Sequence, residues 1–591
     1  MATRQRTTLL GSLPRRAVRI LAAAATALAL SAGTAVTASA PAQAATPACQ
    51  VTYTIVNSWP GGFQAGLTIT NNGPALSSWS VGFEFSGNQQ IGGLWDGVYT
   101  QTASQVTVSN ETYNAALATG ASISPGFTGT VTSTDNAPTY FTLNGVACNG
   151  SPQLPAVNLT TPQQDQVIAP GTNIALTATA AETAGTATIG KVSFYQGTTL
   201  IGSATSSPYT VTWSDVPKGF YTLTAQTTDS AGETNTSLPV QITVLPTGSA
   251  PQLHVSGNKL VNQNGDTVVL NGVDRSGGEY ACVNGTGVWD GPMDAASVEA
   301  MRSWGVNAVR VPLNEACWLG ESYVNPAYAG ATYQSAVEAY VALLHQYGIV
   351  AILDLHWTDG AYTGTSAGCS SAEAICQKPM PDAPNSVTFW TQVATAFKGD
   401  DATVFDLFNE PYPERADNYN ETEGWQCWLN GGSSCVGIGY TVAGMQTLVN
   451  AVRSTGASNV IMLGGLEYSN DLTQWLQYEP TDPDGNLAAS WHSYNFNTCS
   501  TQSCWTSQIA PVAAKVPVVA GEIGENDCAD TYVNQLMPWL DSEGISYLAW
   551  TWDDWANGCA TGPTLITDYL GDPTPFGAGV QSHLQTLAIG A

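Results

Sequence analysis

Basic side chains are scarce in this sequence. Its 591 residues carry 16 Lys plus Arg against 45 Asp plus Glu, for a formal charge of −29, and only 10% of residues are charged. Binding to nucleic acid requires clustered Lys and Arg to neutralise phosphates, and no such cluster follows residue 44, so nucleic acid is excluded as a partner. Long apolar runs are also missing. Beyond residue 44 no stretch approaches the roughly 18 apolar residues of a bilayer-crossing helix, so the mature chain is expected to stay off the membrane. Histidine is limited to five copies, and the cysteines form no Cys-x-x-Cys pair and have no His partners at zinc spacing. No metal and no cofactor are expected.

What is present begins at the amino terminus. Arg4, Arg6, Arg15, Arg16 and Arg19 precede an apolar run from Ile20 to about Leu30, which leads to Ala42-Gln43-Ala44. That order of charge, apolar stretch and A-x-A site reads as a secretory signal peptide over 1–44. An uncleaved anchor is the alternative, and the run is short for one. The Arg15-Arg16 pair leaves twin-arginine export open beside the general route. A secreted, extracellular protein suits the twelve cysteines, an even number. Cys369 with Cys376, Cys427 with Cys435, and Cys499 with Cys504 read as disulfide staples, and Ala281-Cys282 with Ala316-Cys317 suggests another.

Short Gly, Ser and Pro stretches at Asn149-Gly150-Ser151-Pro152 and Pro246-Thr247-Gly248-Ser249-Ala250-Pro251 read as linkers and divide the mature chain into three modules. Residues 45–150 show β-prone runs between Asn and Gly turns (Val51 to Val56, Gln64 to Thr70, Ser80 to Phe85, Gln105 to Val108, Thr139 to Leu143), which predict an all-β sandwich whose ends one Cys49–Cys148 bond would tie. Residues 151–250 repeat the short-strand pattern with no Cys and no His, so a spacer is expected there. Residues 251–591 change period. Eight strand-like runs, starting at Val268, Ala308, Val350, Thr403, Val460, Ala488, Pro517 and Tyr547, alternate with helix-length segments. The predicted fold class is therefore multidomain, a (β/α)8 TIM barrel preceded by two all-β sandwich domains.

A barrel of this kind carries its chemistry at the carboxyl ends of its strands. Read there, the polar residues are Arg310 after strand two, His356 after three, Asn409-Glu410 after four, His492 and Tyr494 after six, Glu522 after seven, and Trp550 with Trp552 after eight. The apolar run Phe405-Asp406-Leu407-Phe408 stops at Asn409-Glu410-Pro411, and Val518-Val519-Ala520-Gly521 stops at Glu522. Either glutamate alone could be a rim partner of an arginine. Two of them on opposite walls suit glycosidic hydrolysis, which needs one acid on the leaving oxygen and one carboxylate across the sugar. Carboxyls about 5 Å apart give retention of configuration, and a wider gap gives inversion. A charged Glu522 would hold Glu410 protonated, while Arg310 and Tyr494 would keep Glu522 ionised.

With Asn409-Glu410-Pro411, Val309-Arg310-Val311-Pro312, Leu355-His356, His492-Ser493-Tyr494, Glu522-Ile523-Gly524 and Trp550 in barrel order, the region from about 252 to 591 resembles the glycoside hydrolase family 5 catalytic domain. The resemblance implies a retaining double displacement with Glu410 as acid/base and Glu522 as nucleophile. It also implies substrate positioning by Arg310, His356, Asn409, His492 and Tyr494, and a sugar-stacking floor at Trp550. The first module resembles a family 2 carbohydrate-binding module through Asn57-Ser58-Trp59, Trp79, Asn88-Gln89-Gln90, Trp95, Asn110, Tyr113-Asn114 and Phe141-Thr142-Leu143-Asn144-Gly145. That resemblance implies stacking by Trp59, Trp95 and Tyr113, with Trp79 in the core. Residues 151–250 resemble bacterial immunoglobulin-like domains through Tyr221-Thr222-Leu223-Thr224-Ala225 and Asp229-Ser230-Ala231-Gly232.

Together these resemblances imply a secreted enzyme acting on β-linked plant cell-wall polysaccharide, first of all an endo-β-1,4-glucanase, and a monomer is expected. A mannanase, a xyloglucanase or an exo-acting β-glycosidase on the same barrel stays open, because the loops Thr358 to Asn385 and Tyr412 to Gly439 are long and Cys-bearing. A non-catalytic polysaccharide-binding protein is the reading from another class, and it would have to lack Glu410 or Glu522. Gly364-Thr365-Ser366-Ala367-Gly368 spells an esterase elbow without the strand and helix that one requires. Asp482-Pro483-Asp484-Gly485-Asn486 reads as a turn and lacks the further ligands of a calcium loop.

Overall fold

The computed structural model describes residues 48–59, 62–85, 89–102, 104–131, 137–138, 140–148, 154–182, 187–230, 232–556 and 558–590. The signal-peptide reading, Asn88 and the first linker lie outside them. The chain forms two compact units, 1–151 and 152–591. Among the described residues no helix is long and apolar enough to cross a membrane.

The first unit is the expected sandwich. One sheet runs in the order Cys49–Trp59, Gly62–Asn71, Gly126–Thr130, Gln90–Trp95, and the other in the order Val146–Ala147, Phe141–Leu143, Ser80–Glu84, Gln105–Ser109, Val98–Thr102. Alternation drives the packing: Phe63, Ala65, Leu67 and Ile69 point inward from one strand to meet Val81, Phe83 and Val108 of the other sheet. Trp79 is buried in this core, and Cys49 is bonded to Cys148.

In the second unit, strands between Ala156 and Val244 make a smaller sandwich around Leu176, Phe194, Leu223 and Ile242. The linker expected at 246–251 is instead a packed strap. Ala250 is buried and its N–H donates to His345 O, while the Arg302 guanidinium donates to Pro246 O. Backbone groups held by barrel helices have no freedom to act as a flexible tether. The immunoglobulin-like module therefore belongs to the same compact unit as the barrel.

All eight predicted barrel strands are present and close into a parallel barrel: Asn271–Asp274, Ala308–Asn314, Val350–Trp357, Thr403–Asp406, Ile461–Gly464, Leu487–Tyr494, Val518–Gly524 and Ser546–Ala549. The hairpin His254–Ser256 with Lys259–Val261 belongs to the amino-terminal end, where Leu260 packs with Leu270, Ile352, Val404 and Met462. That end is filled by side chains, which leaves the carboxyl ends of the strands as the open mouth. Disulfides join Cys282–Cys317, Cys369–Cys376, Cys427–Cys435 and Cys499–Cys504 as expected, and Cys528–Cys559 links the loops after strands seven and eight.

Candidate active site

Strand two places Arg310 inside the barrel, where its side chain is fully buried. A charge there must be matched, and carboxylates from four other strands surround it. Its Nη1 lies 3.0 Å from Asp274 Oδ1 and 2.9 Å from Glu522 Oε1, its Nε 3.0 Å from Asp406 Oδ2, and its Nη2 3.0 Å from Asp354 Oδ1. Nη2 also donates to Asn409 Oδ1 at 2.8 Å. Burial opposes the arginine charge, but the surrounding carboxylates more than offset it and raise its pKa.

Glu522 owes its direction to an irregularity. Between strands six and seven the register slips, so that Trp491 pairs with Ala520 but His492 pairs with Glu522, leaving Gly521 as the extra residue of a bulge. A Cβ at Gly521 would meet Ser490 Oγ at 2.8 Å and His492 Nε2 at 3.1 Å, so any larger residue would displace Ser490 and crowd His492. Tyr494 OH donates to Glu522 Oε2 at 2.6 Å. Glu410 faces it across the mouth, with His492 Nδ1 3.1 Å from Glu410 Oε1 and 3.6 Å from Glu522 Oε2. One oxygen of each glutamate and a ring nitrogen of His492 lie within 4.8 Å of one another.

The two carboxyls are electrostatically unequal. Burial and the neighbouring Glu522 charge push Glu410 well above the usual carboxylate range, against the pull of Arg310. Burial raises Glu522 as well, but less, because Arg310 and the Tyr494 hydroxyl pull it down. Glu522 is the one to ionise first. His356 is lowered to about 3, mainly by burial and further by Arg310, and His492 is pushed well below its ordinary value for the same reasons and by His356. Both imidazoles are neutral at working pH.

Above the carboxyls lies a cleft of about 570 Å³ lined by His356, Asn409, Glu410, Tyr494, Glu522 and Trp550. The His356 and Trp550 rings stack at 5.4 Å and 17°. Seven of the nine barrel residues singled out in the sequence thus meet at or directly under one mouth, and an eighth, Arg310, sits deeper. Arg310 and His492 are fully buried and lie against the glutamates, Arg310 on Glu522 and His492 on Glu410. Trp552 is turned away into the core against Trp304, with ring centroids 4.7 Å apart. Sequence reasoning missed Gln377, Tyr468 and Phe496, which also line the cleft. Tyr468 comes from a run of three non-glycine residues at positive φ, Glu467 to Ser469, a conformation no residue pattern announces.

Residues 261–555 match the Cellulase (glycosyl hydrolase family 5) family. This barrel belongs to glycosyl hydrolase family 5. The family 5 barrel is a retaining glycoside hydrolase, and its paired carboxyls have the close spacing that retention requires. Residues 49–148 match the Cellulose binding domain family and residues 155–225 the Bacterial Ig domain family. The chain is 26% identical to "Endoglucanase CelA" of Streptomyces lividans over 565 residues, 92% of this chain and 94% of that protein. It is 45% identical to "Exoglucanase A" of Cellulomonas fimi over 112 residues, 19% of this chain and 13% of that one. The crystal structure of β-glucanase SdGluc5_26A from Saccharophagus degradans is 20% identical and covers 58% of this chain and 95% of its own, with a TM-score of 0.44.

In the cellulose-binding unit Trp59 and Trp95 are 45% and 44% exposed, and Tyr113 is 71% exposed. Trp59 pairs with Gly62 and Trp95 with Gly126, which in turn pairs with Gly66. Paired residues share a face, and Gly62 and Gly66 are four apart on one strand, so both indoles lie on the same face, about 13 Å apart along it. A Cβ at Gly62 or at Gly126 would meet the indole above it at 2.4 Å, so each ring lies flat on a bare backbone. Tyr113 is tethered beside Trp95, its hydroxyl donating to Asp96 Oδ1 at 3.0 Å.

Proposed function

We propose that the protein is an extracellular, monomeric endo-β-1,4-glucanase in which Glu522 is the nucleophile and Glu410 the acid/base. The observation that carries this reading is the close glutamate pair, with Arg310 and Tyr494 on Glu522 alone. Glu410, held protonated, gives its proton to the glycosidic oxygen as the C–O bond breaks, and the Glu522 carboxylate bonds to the anomeric carbon. Esterification removes the charge that raised Glu410, which can then take a proton from water as that water displaces Glu522. Two displacements restore the original configuration.

Asn409, His356 and Tyr494 line the same cleft and are assigned to holding the sugar, with Trp550 as its apolar floor. Trp59, Trp95 and Tyr113 are assigned to capture of the polymer. The cellulose-binding family match and the likeness to an endoglucanase over most of the chain favour a β-1,4-glucan over mannan or xyloglucan. The test is a panel of soluble and insoluble cellulose, β-mannan, xyloglucan and β-1,4-galactan with product lengths measured. Mixed cello-oligosaccharides from cellulose are expected. Faster cleavage of mannan, or release of a single short product, would overturn the assignment.

A further inference from the structure

Strand four ends at Asp406, yet the two residues singled out there as functional are Asn409 and Glu410, past the end of the ladder. Main-chain carbonyls outside a ladder need other partners. The Asn409 carbonyl accepts from Ser469 Oγ at 2.8 Å, and the Glu410 carbonyl accepts from Gln377 Nε2 at 3.0 Å. The other end of the same carboxamide is also used: Gln377 Oε1 accepts from Asn409 Nδ2 at 3.3 Å. Asn409 is held from the opposite side by Arg310 and faces His356 Nε2 at 3.3 Å. One glutamine side chain thus fixes the main chain of one glutamate and the amide rotamer of its neighbour.

Gln377 is itself firmly mounted. It follows the Cys369–Cys376 bond directly, in the long loop between strand three and the helix Ala383–Phe397. On one side of it Asn314 Nδ2 donates to Ala374 O at 2.7 Å, and on the other the Tyr412 N–H donates to Pro379 O at 3.0 Å. Lys378 Nζ closes the loop on Ser371 O at 2.6 Å. With its main chain anchored in this way, Gln377 loses little further backbone entropy on forming its two bonds.

We propose that Gln377 is a positioning residue for hydrolysis, aiming Glu410 and Asn409 at the bound sugar, with the stapled loop as its mount. The proposal rests on the reading of Glu410 as acid/base and adds a residue to it. A misplacement of about 1 Å can cost about 10²-fold in rate, so Gln377→Leu is expected to lower kcat roughly 10- to 100-fold with KM within about threefold. The loss should be larger on poor leaving groups, which need the acid most. Gln377→Glu keeps the acceptor for Asn409 but puts a negative charge beside Glu410, favouring its protonated form, so the alkaline limb of kcat/KM should move to higher pH. A merely structural glutamine would lower the thermal midpoint without splitting kcat from KM and without the dependence on leaving group.

Cys369→Ser with Cys376→Ser leaves Gln377 intact while loosening its mount, and a smaller kcat loss with the same leaving-group dependence is expected. Full kcat in both the Leu variant and the double Ser variant, or an alkaline limb unmoved in Gln377→Glu, would overturn the proposal. Failure of the acid/base reading is separately visible, because Glu410→Ala would then lose activity equally on good and poor leaving groups.

Discussion

Arg310 and Glu522 form an ion pair at 2.9 Å in which the arginine is fully buried and the glutamate side chain is 5% exposed. The same guanidinium holds Asp274, Asp354 and Asp406. Arg310→Met would strand those carboxylates, and breaking a buried pair in this way costs about 3–5 kcal/mol, so the barrel transition should fall clearly in denaturant unfolding. Arg310→Lys keeps the charge but cannot span the ring. Because Arg310 pulls Glu522 down, the acidic limb of kcat/KM in the Lys variant should move to higher pH. An unmoved limb would mean that Glu522 is not the group titrating there.

Glu522→Ala should abolish turnover, and azide entering the vacated space should restore cleavage and yield a glycosyl azide of inverted configuration. Absence of that product speaks against a nucleophile at this position. Glu410→Ala should lose about 10²- to 10⁴-fold on poor leaving groups and much less on activated aryl glycosides.

Glu279, buried near the first barrel strand with its Oε2 accepting from the Gly277 N–H, is pushed up to about 8, chiefly by burial. The folded chain then keeps a proton that the unfolded chain gives up near pH 4.5, the group's ordinary value. Its stabilisation is complete below that pH and is lost as pH rises toward 8, at about 1.4 kcal/mol per unit. Glu279→Gln removes this dependence. The Tm difference between wild type and variant should therefore shift against the wild type from pH 5 to 8, and a constant difference would refute the raised pKa. The buried His356 and His492 act with the opposite sign below their ordinary pKa, and they cancel in the comparison.

Period and punctuation carried much of this protein. Each barrel strand is a short apolar run, and a parallel strand buried on both faces has to be one. Glu410 and Glu522 stood out because each breaks such a run at its carboxyl end. Asp354 and Asp406 break their runs too, deeper in their strands, but their purpose is visible only once Arg310 lies between them. Gln377 and Tyr468 sit in irregular loops, where no period links a residue to its place. The docking of the immunoglobulin-like module depends on the Arg302 guanidinium meeting a Pro246 carbonyl, and the Gly and Ser composition of the strap masked that contact.

Polymer capture offers a test that leaves the barrel untouched. Trp95 lies on Gly126, and a methyl group there would meet the ring at 2.4 Å, a distance real contacts do not allow. Gly126→Ala should therefore lift the indole from its bed without altering any residue of the flat face. Adsorption to insoluble cellulose should weaken roughly tenfold, equivalent to about 1.4 kcal/mol, as it should in Trp95→Ala. Hydrolysis of soluble cello-oligosaccharide should be unchanged in both, because the barrel lies in a separate compact unit. Unchanged adsorption in Trp95→Ala would remove that ring from the binding face, and unchanged adsorption in Gly126→Ala alone would show that the ring binds without lying flat.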